Sequence, residues 1–305
     1  MPTITVAPVA RPSLRECLQR TALVLTAELD PPRGPDLAPL VERARRFAHC
    51  VDAINVTDGS LARVRLAGFF AAAALRQALG VEVIAHMTAR DRNRIALQAD
   101  VLGAASFGVR SLLVLSGDPP NRGDEPEARA AGDLETADVL RLLVALNSGH
   151  TASGQALDGP TDVLIGCAAN PGALDLGKEL DKLAQRVAAG ARFCQTQPVF
   201  DVDAALRFAE AVRPLDVPVL YGLLPIRDAA RARYFNQIPG MAVPAPLVAR
   251  LENGGEDVGM EIAIETAVAL APHVRGIHVF PMGSPRVVRA MASALQRWRP
   301  AAATC

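Results

Sequence analysis

Aromatic residues are scarce in this 305-residue chain, at 4% against 50% apolar residues. Its core is therefore expected to consist mainly of Ala, Leu and Val. No stretch of about 18 consecutive apolar residues occurs, so no transmembrane helix is read. The 32 basic and 32 acidic residues cancel. With no basic stripe either, nucleic acid and anionic membranes are poor partners. The cysteines are Cys17, Cys50, Cys167, Cys194 and Cys305. Their odd number, wide spacing and lack of a Cys-x-x-Cys pair argue against a disulfide framework and a zinc site. They read as thiols in a reducing cytoplasm, with Cys167 and Cys194 packed as small apolar groups. The histidines have no i, i+4 partner and no metal constellation appears. No nucleophile–base pair, phosphate loop or Gly-x-Gly-x-x-Gly is present, which argues against a Rossmann cofactor site. Arg11, Arg15, Glu16 and Arg20 precede the first apolar run, unlike a signal peptide.

What the chain does have is alternation. Apolar strand-like runs occur at Ala22–Leu29, Asp52–Asp58, Val81–Ala89, Ser111–Gly117, Asp162–Ala169, Arg192–Val199, Val217–Leu224 and Gly276–Phe280. Helical patterns between them cover Leu37–Cys50, Arg63–Gly80, Asp91–Gly108, Leu134–Asn147, Leu176–Gly190, Asp201–Arg213, Asp228–Phe235, Pro246–Glu252 and Asp257–Ala271, with Pro285–Trp298 last. Asp91 reads as an N-cap. Buried parallel strands are continuous apolar runs, and these are. Eight such units without a domain break predict an α/β fold, a single (β/α)8 TIM barrel over residues 21–299, rather than an open doubly wound sheet. Residues 1–20 read as an N-terminal extension and 300–305 as a tail. The polar stretch Asn121–Asp133 is the longest irregular segment of the first half, and such loops are commonly functional or disordered.

The unusual polar residues fall at strand ends: Glu28, Thr57 and Asp58, His86, Asp118, Asn170 and Gln197. In a closed parallel barrel those ends share one face, where active sites are built. A carboxyl at Glu28, on an apolar strand end, should be desolvated and hold its proton near neutrality, as a general acid must. The alternative is a structural carboxylate paired with an arginine or a helix N-terminus. Asp118 follows a glycine and precedes two prolines, so it is either a fixed acceptor for two N–H donors of a heterocycle or an Asx-turn or cap. Gln197 can recognise a planar heterocycle or satisfy an internal hydrogen bond. His86 alone reads more readily as a core histidine. Arg90, Arg92 and Arg94 form a cluster able to hold a phosphate or to be paired and solvated.

The chain resembles the methylenetetrahydrofolate reductase family of flavin-dependent barrels from about Leu23 to Arg297. The matching stretches are Glu28-Leu29-Asp30-Pro31-Pro32, Asn55-Val56-Thr57-Asp58, His86-Met87-Thr88, Leu115-Ser116-Gly117-Asp118, Gln195-Thr196-Gln197 with Phe200-Asp201, Gly222-Leu223-Leu224-Pro225-Ile226 and Pro239-Gly240. Their order and spacing are specific together. Arg90–Gln98 and Ala168-Ala169-Asn170-Pro171 look like the branch of acetogenic bacteria and of reductase domains fused to homocysteine methyltransferases. The resemblance implies reduction of 5,10-methylenetetrahydrofolate to 5-methyltetrahydrofolate. It makes Glu28 the proton donor and Asp118 a carboxylate beside flavin and pterin. Gln197 and Phe235 become contacts to folate. FAD would lie on Thr57, His86, Gly117, Asp118, Ala131, Asn170, Glu179, Lys182 and Arg186, with NADH or NADPH as electron donor and no metal.

The chain departs from better-known bacterial members at Asp58, where they have tyrosine, Ser116 (arginine), Asn170 (histidine) and Arg186 (lysine). The first three changes remove ring stacking or positive charge from the flavin site, so FMN or no flavin stay open beside FAD. A flavin-free reductase and a folate-binding subunit of a redox complex are the competing readings. A cytoplasmic homo-oligomer, with a partner redox subunit in the acetogen-type branch, is the expected setting.

Overall fold

The computed structural model describes residues 11–299 apart from 239 and 256. The expected tail, the first ten residues and Pro239 of the Pro-Gly stretch lie outside the described residues. The elements in order are α1 (Leu14–Gln19), β1 (Val24–Leu29), α2 (Ala38–Arg45), β2 (Ala53–Val56), α3 (Gly68–Leu79), β3 (Glu82–Thr88), α4 (Arg94–Ser106), β4 (Ser111–Leu115), α5 (Thr136–Asn147), β5 (Leu164–Ala169), α6 (Leu176–Ala188), β6 (Phe193–Pro198), α7 (Val202–Val212), β7 (Val219–Leu223), α8 (Ala229–Phe235), α9 (Ala245–Asn253), α10 (Val258–Leu270), β8 (Gly276–Val279) and α11 (Pro285–Ala294). The eight strands are all parallel and close in sequence order, with β1 pairing β8. This is the (β/α)8 barrel that the alternation predicts.

Side chains alternate along each strand. One set (among them Leu25, Ala27, Ile54 and Val114) packs outward with the helices in the main core. The other set points inward in layers. Val24, Ala53, Ile84, Leu113, Leu164, Phe193 and Leu220 form an apolar layer, and Leu14 and Cys17 of α1 join it. Thus α1, within the segment expected as an extension, plugs the barrel at the N-terminal ends of the strands. Its cap is Ser13, whose hydroxyl accepts from Glu16 N while Glu16 accepts from Ser13 N. A Cβ on Gly166 would fall 2.2 Å from the Phe193 ring, so that ring takes the space a side chain on β5 would fill. Two residues further along, the inward positions of five strands turn polar: Thr26, Asn55, His86, Gln195 and His278 are all buried. Two further again lie Glu28, Thr57, Thr88 and Gln197, at the mouth.

Several boundaries shift. The helix read from Arg63 starts at Gly68, because the backbone is extended at Arg63 (ψ 143°) and Ala67 (ψ 130°), where Val64 N donates to Asp124 Oδ1 and Leu66 N to the Pro32 carbonyl. The cap of α4 is Asn93, which accepts from Ile95 N and Ala96 N. Asp91 instead binds Arg90. Cys17, Cys167 and Cys194 are free and buried.

Candidate active site

Glu28 ends β1 beside Asn55 of β2. Pro31 and Pro32 then fix the departing loop. The side chain makes no ion pair and accepts no hydrogen bond among the described residues. The structural alternative of a paired carboxylate is therefore absent in this geometry. The residue keeps some solvent contact at the mouth, yet burial, reinforced by the negative charge of Asp30, pushes its pKa up to about 8. Asp30 is itself tied down. It accepts from Thr57 Oγ1 at 2.6 Å and Ser60 Oγ at 2.7 Å, and Arg65 lies 3.5 Å away.

Beneath Glu28 the polar layer is hydrogen-bonded to itself. Asn55 Nδ2 lies 2.9 Å from His86 Nε2 and donates to Gln195 Oε1 at 2.7 Å. Gln195 Nε2 reaches Thr26 Oγ1 and Asn55 Oδ1, both at 3.3 Å. Thr26 Oγ1 meets His278 Nδ1 at 2.8 Å. Burial holds the pKa of His86 down at about 4, and that of His278 at about 3. Both rings are neutral at pH 7, so no cation sits under Glu28 to draw off its proton.

A cleft of about 590 Å³ opens beside this axis, at the ends of β3 and β4 and along α6. Its size suits a small-molecule site. Gly117, Asp118, Lys182 and Arg186 line it, together with Arg90. Ala131 lies between two lining residues, and its N–H donates to the Arg90 carbonyl at 2.7 Å. Gly117 has φ +80°, a conformation glycine adopts freely. Asp118 Oδ2 accepts from Leu61 N at 2.8 Å, and its carbonyl accepts from Arg90 Nη1 at 3.1 Å. Arg186 donates to the Ala168 carbonyl and stands 3.7 Å from Glu179, which accepts from Asn170 N at 3.0 Å.

The expected residues thus fall into groups. Glu28, Thr57 and His86 share the barrel axis, with His86 one layer below the mouth rather than at a strand end. Gly117, Asp118, Lys182 and Arg186 share the cleft. Gln197 is exposed at the end of β6. Phe235 is 9% exposed in a satellite apolar cluster, stacked on Phe200 with ring centroids 6.4 Å apart. Asn170 accepts from Gly172 N in a local turn. Glu28, Gln197 and Phe235 do not line the cleft. Most of the arginine cluster is structural: Arg92 pairs with Asp58 and Asp100, and Arg90 with Asp91. Asp58 also accepts from Thr88 N and Oγ1. The residues the sequence reading left without a role are Asp30, Asn55, Gln195 and His278. For Asn55 and Gln195 the available signal was period: each stands two positions before a strand-end polar residue and shares its face.

No metal cluster of three or more His, Cys, Asp or Glu side chains occurs among the described residues, and none of the described helices is long and apolar enough to cross a membrane. The cleft residues fit an anionic, flat cofactor such as a flavin: Lys182 and Arg186 bring positive charge, and the glycine backbone allows close approach.

Together these features define a (β/α)8-barrel protein with an acid at its mouth and a cation-rimmed cleft at the C-terminal ends of its strands. The chain belongs to the methylenetetrahydrofolate reductase family, whose model matches residues 13–296. It is 25% identical over 232 residues to the 5,10-methylenetetrahydrofolate reductase of Pectobacterium carotovorum subsp. carotovorum, covering 72% of each chain. It is 23% identical over 255 residues to methylenetetrahydrofolate reductase 2 of Schizosaccharomyces pombe, covering 79% of this chain and 39% of that one. The chain thus spans about two fifths of that fungal relative's length. Among solved structures, a riboflavin lyase superposes with TM-score 0.58 at 10% identity, covering 93% of both chains. Mycobacterium tuberculosis tryptophan synthase superposes with TM-score 0.56 at 15% identity, covering 93% of this chain and 95% of that one. These two likenesses concern the fold alone.

Proposed function

We propose that this protein reduces 5,10-methylenetetrahydrofolate to 5-methyltetrahydrofolate at the barrel mouth. Bound FAD, reduced by NADH or NADPH, would supply the hydride. The observation that carries the reading is Glu28, an unpaired carboxyl whose pKa stands near 8. The one-carbon bridge must open before reduction, breaking one C–N bond. Glu28 gives its proton to the amine nitrogen so released, and the carbon left as an iminium accepts two electrons as hydride. Asp118 offers negative charge that favours this cation. Gln197, at the end of β6, presents an amide to the edge of the folate ring, and Phe235 lies on the helix beyond β7. Lys182 and Arg186 would hold cofactor phosphates, with Thr57, His86, Gly117, Ala131, Asn170 and Glu179 completing that site. The reading extends to a cytoplasmic homo-oligomer drawing electrons from a nicotinamide or a partner redox subunit.

A flavin-free reductase is the second reading, and one observation favours it. Asp58 and Asn170 stand where relatives carry rings, and both are engaged in local contacts instead. Absorbance of the purified protein near ~450 nm, intrinsic to oxidised flavin, decides between them. Colourless protein that reduces methylenetetrahydrofolate with NADH supports the second reading. Colourless, inactive protein that still binds folate leaves only a folate-binding subunit.

A further inference from the structure

Asn55 and Gln195 have no part in that reaction, yet they sit at the centre of the buried polar layer. An amide NH2 only donates. Asn55 Nδ2 lies 2.9 Å from His86 Nε2, so that nitrogen accepts and the His86 proton sits on Nδ1. Thr26 Oγ1 accepts from Gln195 Nε2, and His278 Nδ1 at 2.8 Å is the one acceptor within reach of its hydrogen among the described residues. The His278 proton therefore sits on Nε2. Neither His86 Nδ1 nor His278 Nε2 has a hydrogen-bond partner among the described residues. Neither is sealed, because the sealed unpaired side-chain atoms there are Arg65 Nε and Tyr221 Oη. The rings themselves are 5% and 2% exposed. Below them the apolar layer and α1 close the barrel, so their way out is upward, toward Glu28, with the Phe280 ring packed edge-on against His278 at 4.6 Å.

We propose that the Asn55–Gln195 amide pair is a positioning device that fixes the tautomers of His86 and His278. The layer beneath Glu28 thereby presents two imidazole N–H donors to the acceptor edge of a flat heterocycle in the mouth. The identity of that heterocycle, flavin or pterin, rests on the function proposed above; the tautomers do not.

Nitrogen-15 spectra of the histidine-labelled full chain at neutral pH test the first half. The expected pattern is Nδ1–H on His86 and Nε2–H on His278, assigned with single His→Gln variants. The reverse pattern, which results if both amides are turned over, overturns the proposal, and this holds even if no Asn55 variant folds. In Asn55→Asp the new carboxylate only accepts, so the His86 proton must move from Nδ1 to Nε2, which turns Nδ1 into an acceptor and shifts both resonances. Calorimetric titration with FAD and, separately, with 5-methyltetrahydrofolate then identifies the ligand that uses the donors. Its affinity should fall about tenfold or more in the variant. A shifted His86 resonance with both affinities unchanged sinks the second half. Failure of the wild-type chain to bind either ligand refutes the function proposed above while the tautomer pattern still stands.

Discussion

Replacing Glu28 with glutamine removes a transferable proton and little else. The amide matches the shape and neutrality of a protonated carboxyl. With a pKa near 8, about nine in ten wild-type molecules carry that proton at pH 7; an ordinary carboxyl would carry it in well under one in a hundred. Loss of a positioned acid costs about 10²–10⁴ in rate. Methyltetrahydrofolate formation by Glu28→Gln should fall by that factor, while flavin reduction by NADH, followed by bleaching in a stopped-flow spectrometer, stays within about twofold. The wild-type rate should also decline as pH rises through about 8. Near-normal folate reduction by the variant, or a wild-type profile flat to high pH, would refute the assignment.

The same substitution has a stability signature. Between pH 4.5 and about 8 the folded chain keeps a proton that the unfolded chain has released. Wild-type stability therefore falls as pH rises across that window and levels off above it. The ceiling is about 5 kcal/mol, and solvent contact at the mouth reduces the expected loss to about 2–3 kcal/mol. Glutamine has no such dependence, so urea titrations should find Glu28→Gln more stable than wild type at pH 9 and close to it at pH 5.

The buried histidines act in the opposite direction: their pKa values fall from 6.5 to about 4 and about 3, so acidification from about 6.5 to 4 should cost up to about 3 kcal/mol for each ring. Urea unfolding of Glu28→Gln isolates this limb, and a flat acid profile would contradict neutral burial. Gly117→Ala must adopt φ +80° and bring a Cβ within 3.3 Å of Thr88, so it should lower stability by about 1–2 kcal/mol and weaken flavin binding; calorimetry and flavin fluorescence measure both. Tyr221→Phe removes a buried hydroxyl without a partner and should be neutral or stabilising by up to about 1 kcal/mol; a loss above about 1 kcal/mol would show that the hydroxyl is hydrogen-bonded.

The barrel was legible because its strands are continuous apolar runs and each strand is followed by a helical period. Glu28 was legible for the same reason: a carboxyl on an apolar strand end has nowhere to hide its charge. The cleft was only half legible. Gly117 and Asp118 declare themselves by turn chemistry, but the Lys182 and Arg186 assignment came from resemblance, since a basic face on α6 looks like any solvated helix. Asp118 illustrates a limit of pattern reading. Both of its interpretations hold at once, for one carboxylate oxygen binds Leu61 N while the residue also lines the cleft. His278, Gln195 and Asn55 escaped notice because a polar residue inside an apolar strand has no partner until the barrel closes and brings β1, β2, β3, β6 and β8 together.

Closure also explains why these properties occur together. The apolar layer and α1 keep water out from below, so the polar layer above must satisfy its own hydrogen bonds, as unpaired buried groups cost about 1–3 kcal/mol each. It does so with one nitrogen of each histidine and leaves the other N–H toward the mouth, while burial keeps both rings neutral. Neutral histidines leave Glu28 without a counter-charge beneath it, and Asp30 beside it adds a like charge. A dry floor, an internally hydrogen-bonded polar layer and a proton-retaining acid are therefore linked consequences of one inward-facing stack. A charge introduced anywhere in the polar layer should reach Glu28 before it reaches the cleft. Asn55→Asp should raise its pKa, and with it the alkaline limb of the rate profile, while Lys182 and Arg186 keep their hold on the cofactor.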